Sequence, residues 1–151
     1  AWMLILRALQ SDKGHVFYVA PTQGQARDIM WQSLLELGHP VVSSSHINNL
    51  QIKLINGATI SLKGADRPET MRGVSLRFLV LDEYADMKPE VFEQILRPAL
   101  TDLKGDALFI GTRWAGTTSM IFSSLRSWGT SRPTKHGILR PTTTLSWIQR
   151  K

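Results

Sequence analysis

Apolar residues recur at helical spacing in two stretches near the start of the chain. The first helix is expected over AWMLILRALQ, with four residues facing inward: Met3, Leu4, Leu6 and Leu9. The second is expected over QGQARDIMWQSLLELG, closed by Gly38, with five residues on its inner face: Ala26, Ile29, Met30, Leu34 and Leu37. Both helices therefore need a surface against which one face is buried.

Three short, unbroken apolar runs predict strands that are buried on both faces. They are VFYVA at residues 16–20, FLVL at 78–81 and ALFI at 107–110. Helical patterns separate the runs, and each run ends in polar or small residues. This alternation is typical of an α/β fold with a parallel sheet, in which ligands bind at the carboxyl ends of the strands.

An antiparallel hairpin is predicted around Asn56-Gly57. The segments QIKLI and ATISLK on either side alternate apolar and polar residues, and Asn-Gly favours a type I′ turn because both residues tolerate positive φ. The hairpin is expected at the sheet edge or as an insertion. Residues 39–50, which precede it, carry too little pattern for an assignment.

A third helix is expected to open at Lys88-Pro89-Glu90, after the central apolar run. Its inner face would consist of four residues: Val91, Phe92, Ile95 and Leu96. Pro98 has no backbone N–H to continue the helical hydrogen bonding, so we expect it to kink or end this helix.

Length and composition fit one globular domain. The 151 residues suffice for a single core, and no apolar run approaches the ~20 residues of a membrane span. The chain has no cysteine, so a disulfide framework is excluded. It starts at Ala1-Trp2 rather than at Met, and we expect the natural start to lie upstream.

Charge is divided unevenly along the chain. The formal net charge is +6, but residues 1–112 sum to −1, whereas residues 113–151 carry seven Lys and Arg and no acid. The basic character, which would suggest a nucleic-acid partner, therefore belongs to the last quarter of the chain.

Asp82 and Glu83 directly follow the apolar run at 78–81. If that run is a central parallel strand, its carboxyl end places both carboxylates at the ligand crevice. This is the Walker B arrangement of P-loop ATPases, in which the first acid holds Mg²⁺ and the second orients or deprotonates the attacking water. The same residues could instead be an acidic helix start after a buried strand, since acids favour a helix N-terminus.

Four stretches together resemble the ATPase domain of the large terminase subunit of tailed bacteriophages. They occur in the family's order and approximate spacing: VAPTQGQARDIMW, the Asn-Gly hairpin, ETMRGVSLRFLVLDEYADM and LFIGT. Superfamily 2 helicases share the Pro-Thr turn and the acid pair, but they usually continue with Ala and then Asp or His, where this chain has Tyr84-Ala85. A helicase-like ATPase is therefore the alternative enzyme.

The resemblance implies a role for each matching residue. Asp82 would be the Mg²⁺ ligand and Glu83 the catalytic carboxylate. Gly111 and Thr112 match the coupling motif, whose hydroxyl senses the γ-phosphate. Arg72 lies where some members place an arginine finger that completes a neighbour's site in the ring, and its other interpretation is a surface or N-capping arginine.

Gln25 and Arg27 follow the turn after the first predicted strand, where the resemblance would place them near nucleotide or DNA. As ordinary residues of a first helical turn they need no such function. Intact family members use ATP and Mg²⁺ to move double-stranded DNA into the prohead. They do so in the host cytoplasm as a homo-oligomeric ring, together with the portal protein and the small terminase subunit and without a membrane.

The phosphate loop of such ATPases is missing from this sequence. No G-x-x-x-x-G-K-[ST] segment, which would hold the β- and γ-phosphates, occurs in the 151 residues. In the resembling family this loop comes just before a helix like AWMLILRALQ. We therefore expect it to have ended shortly before Ala1, and the fragment to be inactive as an ATPase.

Residues 113–151 depart from the family's continuation. A single-base deletion after Thr112 would account for this, because the shifted frame permits two long family-like stretches. We therefore predict a partial terminase ATPase domain at residues 1–112 and a frameshifted, poorly ordered basic tail at 113–151. The other interpretation is a flexible arm for nucleic acid, which would make the chain a non-enzymatic DNA-binding remnant.

Overall fold

A seven-stranded sheet forms the centre of the protein in a computed structural model that describes residues 1–113 and 117–124. Its strands are β1 (His15–Ala20), β2 (Val42–His46), β3 (Gln51–Leu54), β4 (Thr59–Gly64), β5 (Leu76–Leu81), β6 (Asp106–Arg113) and β7 (Thr117–Ser124). They are arranged in the order β2-β3-β4-β1-β5-β6-β7.

The four central strands, β4, β1, β5 and β6, run parallel to one another. On one side β3 and β2 are added antiparallel, and on the other side β7 pairs antiparallel with β6. The predicted α/β fold with a parallel core and an antiparallel hairpin at its edge is therefore confirmed. The hairpin is not an insertion, because its second strand, β4, is itself part of the parallel core.

Helices cover both faces of the sheet. The helical segments are α1 (Trp2–Leu9), α2 (Gln23–Gly38), α3 (Pro89–Val91) and α4 (Arg97–Thr101), with 3-10 turns at Pro68–Met71 and Tyr84–Asp86 and a π-helical stretch at Phe92–Leu96. The helices α1 and α2 share one buried cluster, and the segment from α3 to α4 shares the other. No helix of the described residues is long and apolar enough to cross a membrane.

The inner faces of the first two helices differ in part from the prediction. Leu4 is buried as expected, but Met3 is 48% exposed and Leu37 of α2 is 48% exposed. The core instead takes up Ile5 of α1 and Trp31 of α2. The reason is that both segments carry apolar residues around most of the helix, so spacing alone does not decide which stripe faces the sheet.

Pro98 does not end its helix, contrary to one of the predicted outcomes. The backbone stays helical through Thr101, and the five residues Phe92–Leu96 before α4 adopt π-helical geometry. Proline removes one backbone donor and crowds the carbonyl four residues earlier, and widening the preceding turn relieves both problems. The predicted inner face, including Phe92 and Leu96, is buried.

The turn between β3 and β4 is not of type I′. Such a turn needs positive φ at both central residues, but only Gly57 has it, with φ of 82°. The backbone N–H of Gly57 donates to the Leu54 oxygen at 2.9 Å, and the N–H of Leu54 donates to the Ala58 oxygen at 2.9 Å. This bonding belongs to the longer hairpin loop in which glycine forms a bulge.

Strand β7 lies beyond the predicted domain boundary at residue 112. The predicted boundary lies inside β6, and residues 117–124 pair antiparallel with that strand. The sequence TTSMIFSS is rich in residues that favour strands, and β6 would otherwise present an open edge. The frameshift and the poor order of the tail stay predictions, and residues 114–116 and 125–151 lie outside the described residues.

Candidate functional site

Asp82 lies at the carboxyl end of β5, between β1 and β6. Its backbone N–H donates to the Val19 oxygen at 2.8 Å and so continues the pairing with β1. By alternation its side chain shares the face of Phe78 and Val80, which is covered by α1 and α2. The central strand therefore delivers a half-buried carboxylate to the crevice end of the sheet, as predicted.

Tyr18 of β1 holds this carboxylate. The phenol is fully buried, and its hydroxyl donates a hydrogen bond to Oδ2 of Asp82. The other oxygen, Oδ1, accepts from the backbone N–H of Glu83 at 3.1 Å. Burial raises the pKa of Tyr18 well above its ordinary value, and the bond to Asp82 and the charges of Asp82 and Glu83 add to this effect. The phenol is therefore a neutral donor.

Glu83 adopts a left-handed backbone conformation, with φ of 51° and ψ of 45°. This region is costly for a residue other than glycine. Three further residues of the chain adopt it: Lys13, Leu50 and Lys104. The hydrogen bond from its N–H to Asp82 and a 2.9 Å bond from the Asp86 N–H to its carbonyl oxygen hold the turn. The two acids are thus fixed together at the end of β5.

An aromatic cluster anchors the turn that follows Glu83. The ring of Tyr84 packs edge-on against Phe92, with centroids 6.2 Å apart, and against Phe109 of β6, with centroids 5.0 Å apart. Burial, followed by the charge of Glu93, raises the pKa of Tyr84. The turn is thereby tied to the strand that leads to Gly111.

Gly111 lies beside the acids. A Cβ atom at this position would stand 3.9 Å from the backbone N of Tyr84, an ordinary van der Waals distance, so Gly111 and the turn after Asp82 are neighbours. Thr112 follows in β6, opposite Thr118 of β7. The structure therefore brings Gly111 to the turn of Asp82 and Glu83, while the hydroxyl of Thr112 lies outside the described side chains.

The donor set fits a hard cation held in part by other ligands. Carboxylate oxygens are what Mg²⁺ prefers, and it is usually bound through one or two carboxylates plus phosphates and water. Asp82 and Glu83 supply this number. Among the described residues no three His, Cys, Asp or Glu side chains converge into a closed metal site.

Gln25 caps the N-terminus of α2. Its side-chain oxygen accepts from the backbone N–H of Thr22 at 3.1 Å, while its own N–H donates to the Thr22 hydroxyl at 3.2 Å. This is a complete capping box. A structural role thus accounts for Gln25, and its predicted part in nucleotide binding stays a prediction.

A polar cavity of about 510 Å³ opens between the start of α2, the turn that joins β2 to β3 and the segment after β4. It is lined by Gln23, Arg27, Asn48 and Arg67, among others. Arg27 is paired with its neighbour Asp28 at 3.0 Å, and both side chains are largely exposed. Its predicted contact with nucleotide or DNA stays a prediction.

Arg72 is not brought to the acids. It is exposed and precedes the amino end of β5, whereas Asp82 follows the carboxyl end. A strand of this length spans about 20 Å at ~3.3 Å per residue. Arg72 lines a different cavity of about 400 Å³ with Asp102 and Pro98. It is therefore placed far from the carboxylates of its own chain.

Sequence reasoning missed Tyr18 and Tyr84. The signal for Tyr18 was a single hydroxyl within an apolar run that leads to the crevice edge, and it becomes meaningful only through the pairing of β1 with β5. Tyr84 was noticed only as a family feature, and its contacts with Phe92 and Phe109 come from distant parts of the chain.

A family model and two curated relatives all match this chain to terminase large subunits. The family model for the T4likevirus-type terminase large subunit, N-terminal part, matches residues 1–121. The large terminase subunits of Thermus phage G20c and Thermus virus P23-45 are each 42% identical over 50 residues, which is 33% of this chain and 10% of each relative. The chain thus spans about a tenth of the length of these curated relatives.

Solved structures share the fold. The large terminase ATPase domain of Thermus phage P74-26 superposes with a TM-score of 0.61 at 24% identity, over 72% of this chain and 51% of that one. The large terminase of another thermophilic bacteriophage gives 0.56 at 16% identity, over 71% of this chain and 29% of that one. At these identities the likeness concerns the arrangement of helices and strands.

Proposed function

The chain belongs to the terminase large subunits of T4likevirus type, and from that premise we propose that it carries the Walker B part of a DNA-packaging ATPase. The whole protein would hydrolyse ATP with Mg²⁺ to move double-stranded DNA into the prohead. It would act in the host cytoplasm as a ring of identical subunits, with the portal protein and the small terminase subunit as partners.

The observation that carries this proposal is the acid pair at the carboxyl end of the central parallel strand, in which the Asp82 carboxylate and the Glu83 backbone are held by hydrogen bonds. Asp82, oriented by two hydrogen bonds, would hold Mg²⁺ through water, and Glu83 would orient the attacking water and accept its proton. The cation, when bound, supplies positive charge that offsets charge developing on the phosphates. The left-handed turn at Glu83 supports this role only together with its place directly after Asp82, because Lys13, Leu50 and Lys104 adopt the same conformation elsewhere in the chain.

Two further roles belong to the same proposal. Gly111 and Thr112 would couple phosphate release to movement of β6, and the position of Gly111 next to the turn that follows Asp82 supports this role. Arg72 would act on the site of a neighbouring subunit as an arginine finger. Its exposure and its distance from the acids of its own chain exclude action on its own site; they fit action in trans and equally fit a surface arginine without a catalytic role.

The 151 residues alone are expected to be inactive, since they contain no G-x-x-x-x-G-K-[ST] segment. We also propose that residues 113–151 arise from a single-base deletion. Sequencing the encoding DNA and its flanks tests both points. A phosphate-loop motif upstream and family-like text in the shifted frame are expected, and continuous coding in the present frame without such a loop would contradict them.

A chimera tests the chemistry. Residues 1–112 would replace the corresponding part of the P74-26 ATPase domain, so that a phosphate loop precedes them. We expect ATP hydrolysis by this chimera, and a loss of about 100-fold or more in Glu83→Gln, because its amide cannot accept the proton. Binding of a fluorescent ATP analogue and the circular dichroism spectrum verify that each variant is folded and still binds nucleotide.

The matched comparison is Glu90→Gln, which makes the same change at an exposed position on α3. It should hydrolyse ATP at the rate of the parent chimera. A Glu83→Gln chimera that binds the analogue and hydrolyses ATP at the parent rate would rule out the catalytic role of Glu83.

A further inference from the structure

The hydroxyl of Tyr18 has one evident task. Its ring is fully buried among apolar side chains of the α1 and α2 face, where a phenylalanine ring would fill the same space. The hydroxyl adds a donor at the boundary between this core and the crevice. That donor is used on Oδ2 of Asp82, which is 64 positions further along the chain.

The bond complements a second one on the same carboxylate. Oδ1 accepts from the backbone N–H of Glu83 at 3.1 Å, so each oxygen has one fixed partner on a different strand or turn. A carboxylate with a single anchor can still rotate about its terminal torsion, which is broad. Two anchors on two oxygens fix both its plane and its direction.

We propose that Tyr18 is the positioning residue of Asp82, holding the carboxylate in the orientation in which its remaining lone pairs face a divalent cation at the crevice. This inference rests on the proposed function, which assigns the cation to Asp82. It extends that function by a residue on a different strand. Groups that hold metal ligands in place typically change metal affinity by about 10-fold to 100-fold when they are removed.

A consequence for Glu83 follows from the shared carboxylate. The left-handed turn of Glu83 is held in part by its N–H on Asp82 Oδ1. When Tyr18 no longer holds Oδ2, the carboxylate can turn and this second bond weakens. The loss of one hydroxyl in β1 is therefore expected to disturb both acids.

The test uses the whole 151-residue chain with Mn²⁺ as the probe for the cation. Electron paramagnetic resonance measures Mn²⁺ affinity in the wild type and in Tyr18→Phe, Asp82→Asn and Phe17→Leu. Phe17 is the control because it lies in the same strand and is equally buried, but belongs to the opposite face of the sheet. Amide NMR spectra establish that each variant is folded.

The expected result is an affinity lowered by about 10-fold or more in Tyr18→Phe, no site in Asp82→Asn, and an unchanged affinity in Phe17→Leu. Wild-type affinity in Tyr18→Phe, with the site lost in Asp82→Asn, would overturn the inference and leave the proposed function intact. Equal affinity of the wild type and Asp82→Asn would instead overturn the cation role of Asp82, and the inference with it.

A second measurement needs no variant of Tyr18. In the chain labelled with ¹³C at the phenolic carbon, the signals of Tyr18 and Tyr84 are the only two tyrosine signals. Mg²⁺ should shift the Tyr18 signal in the wild type and leave it in place in Asp82→Asn. A Tyr18 signal that does not respond to Mg²⁺ in a wild-type chain that binds Mn²⁺ would contradict the proposed coupling.

Discussion

At the scale of single residues, three positions adopt a conformation or an environment that is unfavourable for their residue type, and two of them belong to the site. Glu83 is left-handed although it has a side chain, and Tyr18 places a hydroxyl at the edge of an apolar core. Lys63 at the end of β4 is partly buried, with its ammonium 5.7 Å from the centre of the Phe17 ring. Such positions carry a cost that the surrounding fold must outweigh.

The backbone strain at Glu83 predicts an order of stability for two variants. Glu83→Ala and Glu83→Gly both lose the carboxylate, but only glycine adopts a φ of 51° without steric cost. We expect the free energy of unfolding of Glu83→Gly to exceed that of Glu83→Ala by about 1 kcal/mol. Urea denaturation measures it, and an alanine variant of equal or greater stability would show that the turn is not strained.

Lys63 predicts a pH dependence of stability. Burial lowers its pKa from the ordinary value of 10.5, so below that value the unfolded chain binds more protons at this group than the folded chain. Stability at this site therefore rises as the pH increases from the lowered pKa towards 10.5.

Lys63→Met should lack this rise, whereas Lys53→Met, an exposed matched position on β3, should keep it. Urea denaturation at a series of pH values, compared with the wild type, measures the difference. Parallel stability curves for the wild type and Lys63→Met would contradict the prediction.

At the scale of elements, a side chain of the hairpin turn supplies hydrogen bonds that the end of the first helix lacks. The amide of Asn56, in the turn between β3 and β4, lies 2.9 Å from the Ala8 oxygen, 3.3 Å from the Leu9 oxygen and 3.2 Å from the Ser11 oxygen. The carbonyls at the end of α1 thereby gain a donor that the helix itself does not supply. The hairpin turn is in this way fixed to the first helix.

Asn56→Ala tests this link between the hairpin and α1. Removing the amide leaves partly buried carbonyl oxygens without this donor, so we expect a loss of about 1–3 kcal/mol in the free energy of unfolding. Thermal and urea denaturation measure it. Asn49→Ala, in the exposed turn between β2 and β3, is the control and should change stability by less than about 0.5 kcal/mol. Equal effects of the two changes would deny Asn56 a capping role.

At the scale of the whole molecule, the net positive charge lies in a different part of the chain from the sheet and its acids. Residues 1–124 contain equal numbers of acidic and basic residues, while residues 125–151 contain six Lys and Arg and no acid. The sheet and its acids belong to the neutral part. Any affinity for DNA that depends on net charge is therefore expected to belong to the segment after β7.

Deleting residues 125–151 should abolish binding of the chain to double-stranded DNA at low salt. The intact chain should bind weakly, with an affinity that falls steeply as salt increases, because phosphate contacts release counterions. A chain with the same segment in scrambled order should bind like the intact chain if charge alone acts. Fluorescence anisotropy measures all three.

Clearly tighter binding by the natural order than by the scrambled order would contradict the frameshift. It would favour the alternative of a DNA-binding remnant.

The parallel strands and the acid pair could be predicted from the sequence because both depend on short patterns. An apolar run such as FLVL is long enough to indicate a strand buried on both faces, and the two acids after it occupy the edge that such a strand must expose. The inner faces of α1 and α2 could not be predicted, because apolar residues are spread around most of the circumference of each helix. Strand β2 could not be predicted either, since its sequence VSSSH shows no apolar alternation and it is defined by pairing with β3.

The sequence by itself determined the order of the first two helices, the three apolar strands and the hairpin, together with the α/β class and the identity of the two acids, since these follow from local spacing along the chain. Only the tertiary structure decided which residues contact the acids and the turn that follows them. The hydroxyl of Tyr18 reaches Asp82 because β1 and β5 pair in parallel, and Phe109 reaches Tyr84 because β6 lies next to β5. Arg72 is separated from the acids by the length of β5. Contacts of this kind depend on strand register and direction, which bring distant residues together through hydrogen bonds between strands rather than through local sequence.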